Sequence, residues 1–230
     1  MAAAMRPTAK KYLAIFDLDN TLLRGDSDYL WGTFLIDKEL VDPDLHRSKN
    51  DRFYREYEAG QMDIMAFLEF QLEPLAHIPM DTLLALRGEY LRTCIEPIIT
   101  DQARRLVEQH RNQRAELLIV TATNSFITRP IAEAFGIRHL IATEPEVRDG
   151  RYTGGVSGTP SYQHGKVVRL NEWLAGHGMT LEDSWFYSDS ANDLPLLELV
   201  DHPVAVNPDK RLHHHALVQG WPILHMGPPD

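Results

Sequence analysis

The sequence predicts an α/β fold, a parallel sheet covered by helices, with an all-helical segment inserted after the first strand. Three observations carry this. Short apolar runs at Tyr12–Phe16, Ala115–Val120, Ser184–Tyr187 and Val204–Val206 have the length and hydrophobicity of buried strands. Helical patterns alternate with the later runs, as they do in a parallel sheet with both faces covered. From Gly25 to about Pro97 there is no convincing strand, and Leu, Met, Phe, Tyr and Glu recur at helical spacing.

The opening strand runs directly into Asp17 and Asp19. Carboxylates at i and i+2 share a face if the strand geometry continues. Two acids at the end of an apolar strand are costly unless a cation or a reacting group joins them, and ligands of open α/β sheets bind at that end. The plain alternative is a turn, in which Asp and Asn are common.

In the helical segment, Phe53, Tyr54 and Tyr57, then Ile64, Phe67, Leu68 and Leu72, then Leu83, Leu84, Leu86, Tyr90 and Leu91 form apolar stripes, broken at Gly60, Pro74 and Pro79. Such stripes read as packing faces. Beyond Pro97 the spacing predicts a helix over 101–111 and a strand over 115–120 ending at Thr121. A helix over 125–135 follows, with Pro130 in its first turn, then a short strand at 139–142 and a surface hairpin over 147–156. Next come a helix over 166–175 stopped by Gly176, a strand at 184–187 reaching Asp189, a helix over 193–199 and a last strand at 204–206. The tail after Trp221 is expected to fray.

The 230 residues suit one domain plus an insertion. A net charge of −10 argues against nucleic acid and against an anionic membrane as partners. Cys94 is the single cysteine, which excludes an internal disulfide or a cysteine zinc cluster. No stretch is apolar enough for a membrane span and Met1–Lys11 lacks a signal-type core, so a cytoplasmic protein is expected.

If the strands are parallel, Asp17, Asp19, Thr121, Asp189 and Asp193 converge at one sheet edge, with Lys166 opening a nearby helix. Carboxylates without cysteine partners favour a hard cation, Mg²⁺ above all. A lysine and a helix start suit a phosphate. Asp17-Leu18-Asp19-Asn20-Thr21, Leu118-Ile119-Val120-Thr121, Lys166 and Asp189-Ser190-Ala191-Asn192-Asp193 stand in this order. They match the four motifs of the haloacid dehalogenase superfamily of phosphotransferases, which the chain resembles over its whole length.

The helical insertion is similar to the cap of the phosphoserine phosphatase-like subfamily. The resemblance implies a Rossmann-like core over 1–24 and 98–230 and a helical cap over 25–97. It also implies an Mg²⁺-dependent phosphatase acting on a small phosphorylated metabolite. In that pattern Asp17 is the nucleophile and Asp19 the acid–base group. Mg²⁺ lies on Asp17, the carbonyl of Asp19 and Asp189, with Asp193 assisting directly or through water. Thr121 and Lys166 bind the phosphoryl group. Ala122, Thr123 and Asn124 are candidate phosphate contacts through their amides, Thr123 and Asn124 being equally suited to cap a helix. Arg24 and Asp26 are candidate substrate contacts.

Subfamily members acting on phosphoserine are expected to carry an acid soon after the first motif, a place Asp26 could take, and an arginine in the cap, which bind the amino and carboxylate groups. After Gly60 this chain has Glu69 and Phe70 instead, so phosphoserine is not the expected substrate. A phosphomutase or phosphotransferase on the same scaffold is the alternative, followed by a non-catalytic binding module, which the intact Asp17, Asp19, Lys166 and Asp189 disfavour. An EF-hand over 17–28 fails because Leu22 and Asp28 stand where Gly and Glu are required. His213, His214 and His215 cannot all face one ion from a helix and are expected at the surface.

Overall fold

The structure is a computed structural model that describes residues 11–227. Seven strands form one sheet, in the order β4-β3-β2-β1-β5-β6-β7. They are β1 (Leu13–Phe16), β2 (Glu116–Asn124), β3 (His139–Arg148), β4 (Arg151–Ser157), β5 (Trp185–Ser188), β6 (His202–Val206) and β7 (Ile223–Leu224). All pairings are parallel except β3 with β4. The four residues of β1 are fully buried because the central strand is covered on both faces. Leu13 and Ile15 pack into one core, with Val167, Leu197 and Leu212, and Ala14 and Phe16 into the other, with Ile127, Trp31 and Leu72.

Between β1 and the next core helix lie α1 (Ser27–Asp37), α2 (Pro43–Glu58), α3 (Ile64–His77) and α4 (Met80–Tyr90), followed by a π turn over Leu91–Ile95 and a 3₁₀ turn over Glu96–Ile98. Asp26, Asp42 and Asp63 cap α1, α2 and α3 through their carboxylates. The chain leaves and re-enters the core side by side, where Leu23 bridges Ile99 and the Arg24 amide donates to the Ile98 carbonyl at 2.9 Å. Around the sheet run α5 (Asp101–Asn112), α6 (Ser125–Ala134), α7 (His164–His177), α8 (Leu194–Leu197) and α9 (Lys210–Gln219).

Several boundaries differ from the sequence expectation. Strand β2 continues beyond Thr121 to Asn124, with a register shift against β3 after Val120. The hairpin is larger than 147–156, since β3 runs unbroken from His139 and turns at Asp149-Gly150, both at positive φ; Gly154-Gly155 lies within β4. Helix α7 passes through Gly176 and ends at Gly178, at φ +60, because a stop needs a residue in the left-handed region.

Asp193 closes a 3₁₀ turn over Ala191–Asp193 ahead of α8, which ends at Leu197 rather than Leu199. The tail does not fray after Trp221: Ile223–Leu224 pairs with β6, and the Gly227 amide donates to Gln102 at 2.8 Å. Residues 228–230 and 1–10 lie outside the described residues. Pro130 is not in the first turn of α6 but inside the helix. It cannot donate to the Phe126 carbonyl four residues back, and Arg87 of α4 donates there instead at 2.9 Å, its guanidinium 4.8 Å from the Phe126 ring centroid.

Candidate active site

Strand β1 lies between β2 and β5, so the residues after these three strands meet. The Asp17 amide extends the ladder by donating to the Tyr187 carbonyl at 2.9 Å. Lys166, from the first turn of α7, is only 2% exposed. Its Nζ lies 2.8 Å from Asp17 Oδ1 and 2.7 Å from Asp193 Oδ1. Gly165 makes this approach possible, since a Cβ there would collide with the Pro160 carbonyl. Ser188 Oγ donates to Asp193 Oδ2 at 2.7 Å. Asp193 is therefore a partner of Lys166, with Lys166 and Ser188 already on its carboxylate.

Thr21 Oγ1 sits 3.3 Å from both Asp17 Oδ2 and Asp189 Oδ1, so these carboxylates face one another across a single hydroxyl. Burial pushes the Asp17 carboxyl up to about 7, while Lys166 pulls it down and Asp193 pushes it further up. Burial likewise raises Asp189 well above the carboxylate range, and Asp17 adds to the effect. Burial alone would lower the Lys166 ammonium, but Asp17 and Asp193 outweigh it and hold it above its ordinary value.

Buried carboxylates thus outnumber the buried lysine that compensates them, and all the donors are oxygens. This set fits a hard divalent cation. Among the described residues no three His, Cys, Asp or Glu side chains form a ready ligand cluster, so such an ion would need main-chain or water oxygens as well.

Asp19 turns away from this pair, which sets it apart from the metal side. Its Oδ1 accepts the Ser27 amide at 2.6 Å, and its Oδ2 accepts Thr123 Oγ1 at 2.9 Å and Thr121 Oγ1 at 3.5 Å. Burial, helped by Asp26, raises the Asp19 carboxyl to about 6 against those hydrogen bonds. Thr121 and Thr123 share a face of β2 by alternation.

Asp17, Asp19, Thr121, Ala122, Thr123 and Asp26 line one cavity beneath the helical segment. Asn124 does not line it. Its Oδ1 caps α6 by accepting the Ile127 amide at 3.3 Å, and its Nδ2 reaches Asp28 Oδ1 at 3.4 Å. Arg24 is exposed and stands outside the cavity, at the crossing of the two connecting strands of chain. Asp26 Oδ1 accepts the amides of Asp28 and Tyr29, both at 2.9 Å. His213 and His214 are exposed, as expected, whereas His215 is half-buried, its ring 4.8 Å from that of Trp221.

Sequence reasoning missed Asp28, Asn50, Tyr57 and Gln71, which line the cavity from the helical side. Asp28 had the signature of an ordinary acid in a first helical turn. Tyr57 sat in a stripe that read as packing; its phenol is driven well above its ordinary value by burial, and then by Asp189, Asp193 and Asp17. The Tyr57 carbonyl accepts Asn192 Nδ2 at 2.9 Å, and Asn192 Oδ1 accepts Gln163 Nε2 at 3.1 Å. That chain ties the helical segment to the loops before Lys166 and Asp193.

A parallel sheet with carboxylates at the end of its central strand, a buried lysine against them and a helical roof defines a hydrolase of the haloacid dehalogenase type. Residues 14–198 match the haloacid dehalogenase-like hydrolase family, and the chain belongs to it. A histidinol-phosphatase of Neisseria meningitidis is 49% identical over 218 residues, which cover 93% of this chain and 98% of that protein. A protein of unknown function from Bordetella pertussis has a crystal structure that superposes with a TM-score of 0.88 at 48% identity, covering 94% of this chain and 99% of that one. A substrate-bound phosphoserine phosphatase shares the fold, with a TM-score of 0.68 at 20% identity over 94% of each chain. The enzyme is a phosphatase that acts on a small phosphate substrate. Among the described residues no helix is long and apolar enough to cross a membrane.

Proposed function

We propose that the chain is an Mg²⁺-dependent phosphomonoesterase of the cytoplasm that works through an aspartyl-phosphate on Asp17. Its proposed substrate is histidinol phosphate or a close analogue. The observation that carries this is the different surroundings of two neighbouring carboxylates. Asp17 is held by Lys166 at 2.8 Å, whereas Asp19 lies among hydroxyl and amide donors, with the Ser27 amide at 2.6 Å and Thr123 Oγ1 at 2.9 Å. The 49% identity to the Neisseria histidinol-phosphatase, over 93% of this chain, supports the choice of substrate.

In the first step a carboxylate oxygen of Asp17 attacks phosphorus and the bond from phosphorus to the ester oxygen breaks. The leaving alkoxide takes the proton from Asp19. In the second step Asp19 takes a proton from water, the water oxygen attacks phosphorus, and the bond to Asp17 breaks to release phosphate. Thr121 and Lys166 hold the phosphoryl oxygens, and Lys166 pulls Asp17 toward its ionised form against its burial. Asp193 and Ser188 fix the position of Lys166. Asp17, the Asp19 carbonyl and Asp189 would hold Mg²⁺, which supplies positive charge to the carboxylates and to the phosphoryl oxygens.

The test is phosphate release from histidinol phosphate and from 4-nitrophenyl phosphate, with Mg²⁺ and then with EDTA. Metal-dependent release is expected, and Asp17→Asn should reduce it by roughly 10⁴-fold or more while leaving the circular dichroism spectrum unchanged. Activity that survives Asp17→Asn would remove the nucleophile assignment.

A further inference from the structure

Resting on that phosphatase reading, we propose that Gln163 is a positioning residue for Lys166. Its side chain holds a turn that its own backbone disfavours, and that turn sets the ammonium between Asp17 and Asp193. The Gly165 amide donates to the Tyr162 carbonyl at 2.8 Å, which closes a four-residue turn over 162–165. Gln163 is the first central residue of this turn, at φ +46 and ψ −120. Those are the angles of a type II′ turn, where glycine is favoured because a Cβ is crowded. Asn and Asp ease such angles by bonding their own backbone. The Gln163 side chain makes no such cap on α7. A residue strained in this way persists only where its surroundings over-determine it.

The surroundings that do so belong to the site. Gln163 Nε2 donates to Tyr162 Oη and to Asn192 Oδ1, both at 3.1 Å. Asn192 is buried and donates in turn to the Tyr57 carbonyl at 2.9 Å. Lys166 is thereby fixed by two routes that both start at Gln163. Along the chain, the Lys166 amide donates to the Gln163 carbonyl at 3.0 Å, which sets where the lysine stem begins. Through space, Asn192 is anchored next to Asp193, whose carboxylate meets Lys166 Nζ at 2.7 Å.

Glycine would take up the turn without strain but has nothing to reach Asn192. Glutamine therefore exchanges some stability for alignment of a buried ammonium with the nucleophile. Misplacement by an ångström at such a position lowers a rate by about 10²-fold.

Three variants separate the strain from the tether. Gln163→Gly removes both, Gln163→Ala keeps the strain alone, and Gln163→Met keeps the strain and the length without a donor. Gln163→Gly should melt about 3–6 °C above Gln163→Ala and close to the wild type, followed by circular dichroism. All three should lower kcat for histidinol phosphate and for 4-nitrophenyl phosphate by roughly 10²-fold. Adding Asn192→Ala to Gln163→Met should cause little further loss, since both break one hydrogen bond. Full kcat in Gln163→Gly would overturn the proposal, as would losses of kcat that merely follow the melting temperatures. Equal melting of the Gly and Ala variants would remove the strained turn, and multiplicative losses in the double variant would remove the tether. If the wild type hydrolyses neither ester, the phosphatase reading itself falls, and this one with it.

Discussion

The two sides of the catalytic cavity are built on opposite principles. On the sheet side, polar groups satisfy one another. Lys166 holds Asp17 and Asp193, Ser188 supports Asp193, and Thr121 and Thr123 both point at Asp19. On the helical side Asp28 is buried with a single long donor contact, and aromatic rings form the wall. Apart from the cation that Asp17 and Asp189 call for, the sheet side is organised before substrate arrives, as suits a phosphoryl group that all phosphate esters share. The helical side keeps unmet capacity, as suits the part of the substrate that varies.

The largest expected effect comes from breaking the complete side. Lys166→Met leaves Asp17 and Asp193 buried without their cation. It should cost about 3–5 kcal/mol of stability, the scale for breaking a buried pair, and lower kcat by roughly 10²–10³-fold. Urea titration and steady-state kinetics would measure both. A variant as stable as the wild type would show that this pairing does not hold the sheet side together.

A smaller effect is expected on the open side. Gly32 of α1 packs so closely on α2 that a Cβ would collide with Asn50 Nδ2, and Asn50 Oδ1 accepts Gln71 Nε2 at 3.4 Å. Gly32→Ala should cost about 1–3 kcal/mol through overpacking. Because Asn50 and Gln71 line the cavity, it should raise KM more than it lowers kcat. A fall in kcat alone would mean that the helical side also shapes the chemistry.

The smallest effect lies beneath the sheet, away from both sides. His110 is buried between Tyr12, 2.9 Å from its Nδ1, and Tyr187, 2.7 Å from its Nε2. Burial lowers it from 6.5 to about 4. The unfolded chain therefore binds this proton at a higher pH than the folded one. The stability linked to His110 is complete above about pH 6.5 and declines as pH falls toward 4. The raised carboxyls of Asp17 and Asp19 act in the opposite direction. The difference between wild type and His110→Gln, followed by thermal unfolding from pH 4 to 7.5, isolates the histidine. Parallel curves would contradict the assignment.

Much of the sheet side was legible because its signals are local. An apolar run of strand length ending in spaced acids needs no long-range information, and β1, β5 and β6 fall close to where those runs predict them. The errors in the core came from competing local signals. Gly176 reads as a stop only if the chain turns left-handed there, and Pro130 breaks a helix only if the orphaned carbonyl finds no donor. Arg87, 39 residues earlier in sequence, supplies that donor.

The helical side was far less legible. A 3.6-residue stripe shows that a face is buried but not whether it meets another helix or a ligand. Phe53 belongs to a small core with Met62 and Phe70 and also borders the cavity. Tyr57 and Asp28 carried no mark that set them apart from a packing aromatic and a helix-start acid.

By itself, then, the amino-acid order determined where the central strands end and which reactive groups stand at those ends, because alternation and spacing are properties of neighbouring residues. Only the tertiary structure decided that Asp193 serves Lys166, that Asn124 caps a helix, that Arg24 faces outward and that Asp28 is buried in the cavity wall. Each of those outcomes depends on a partner from a distant part of the chain, and burial exists only once the partners have met.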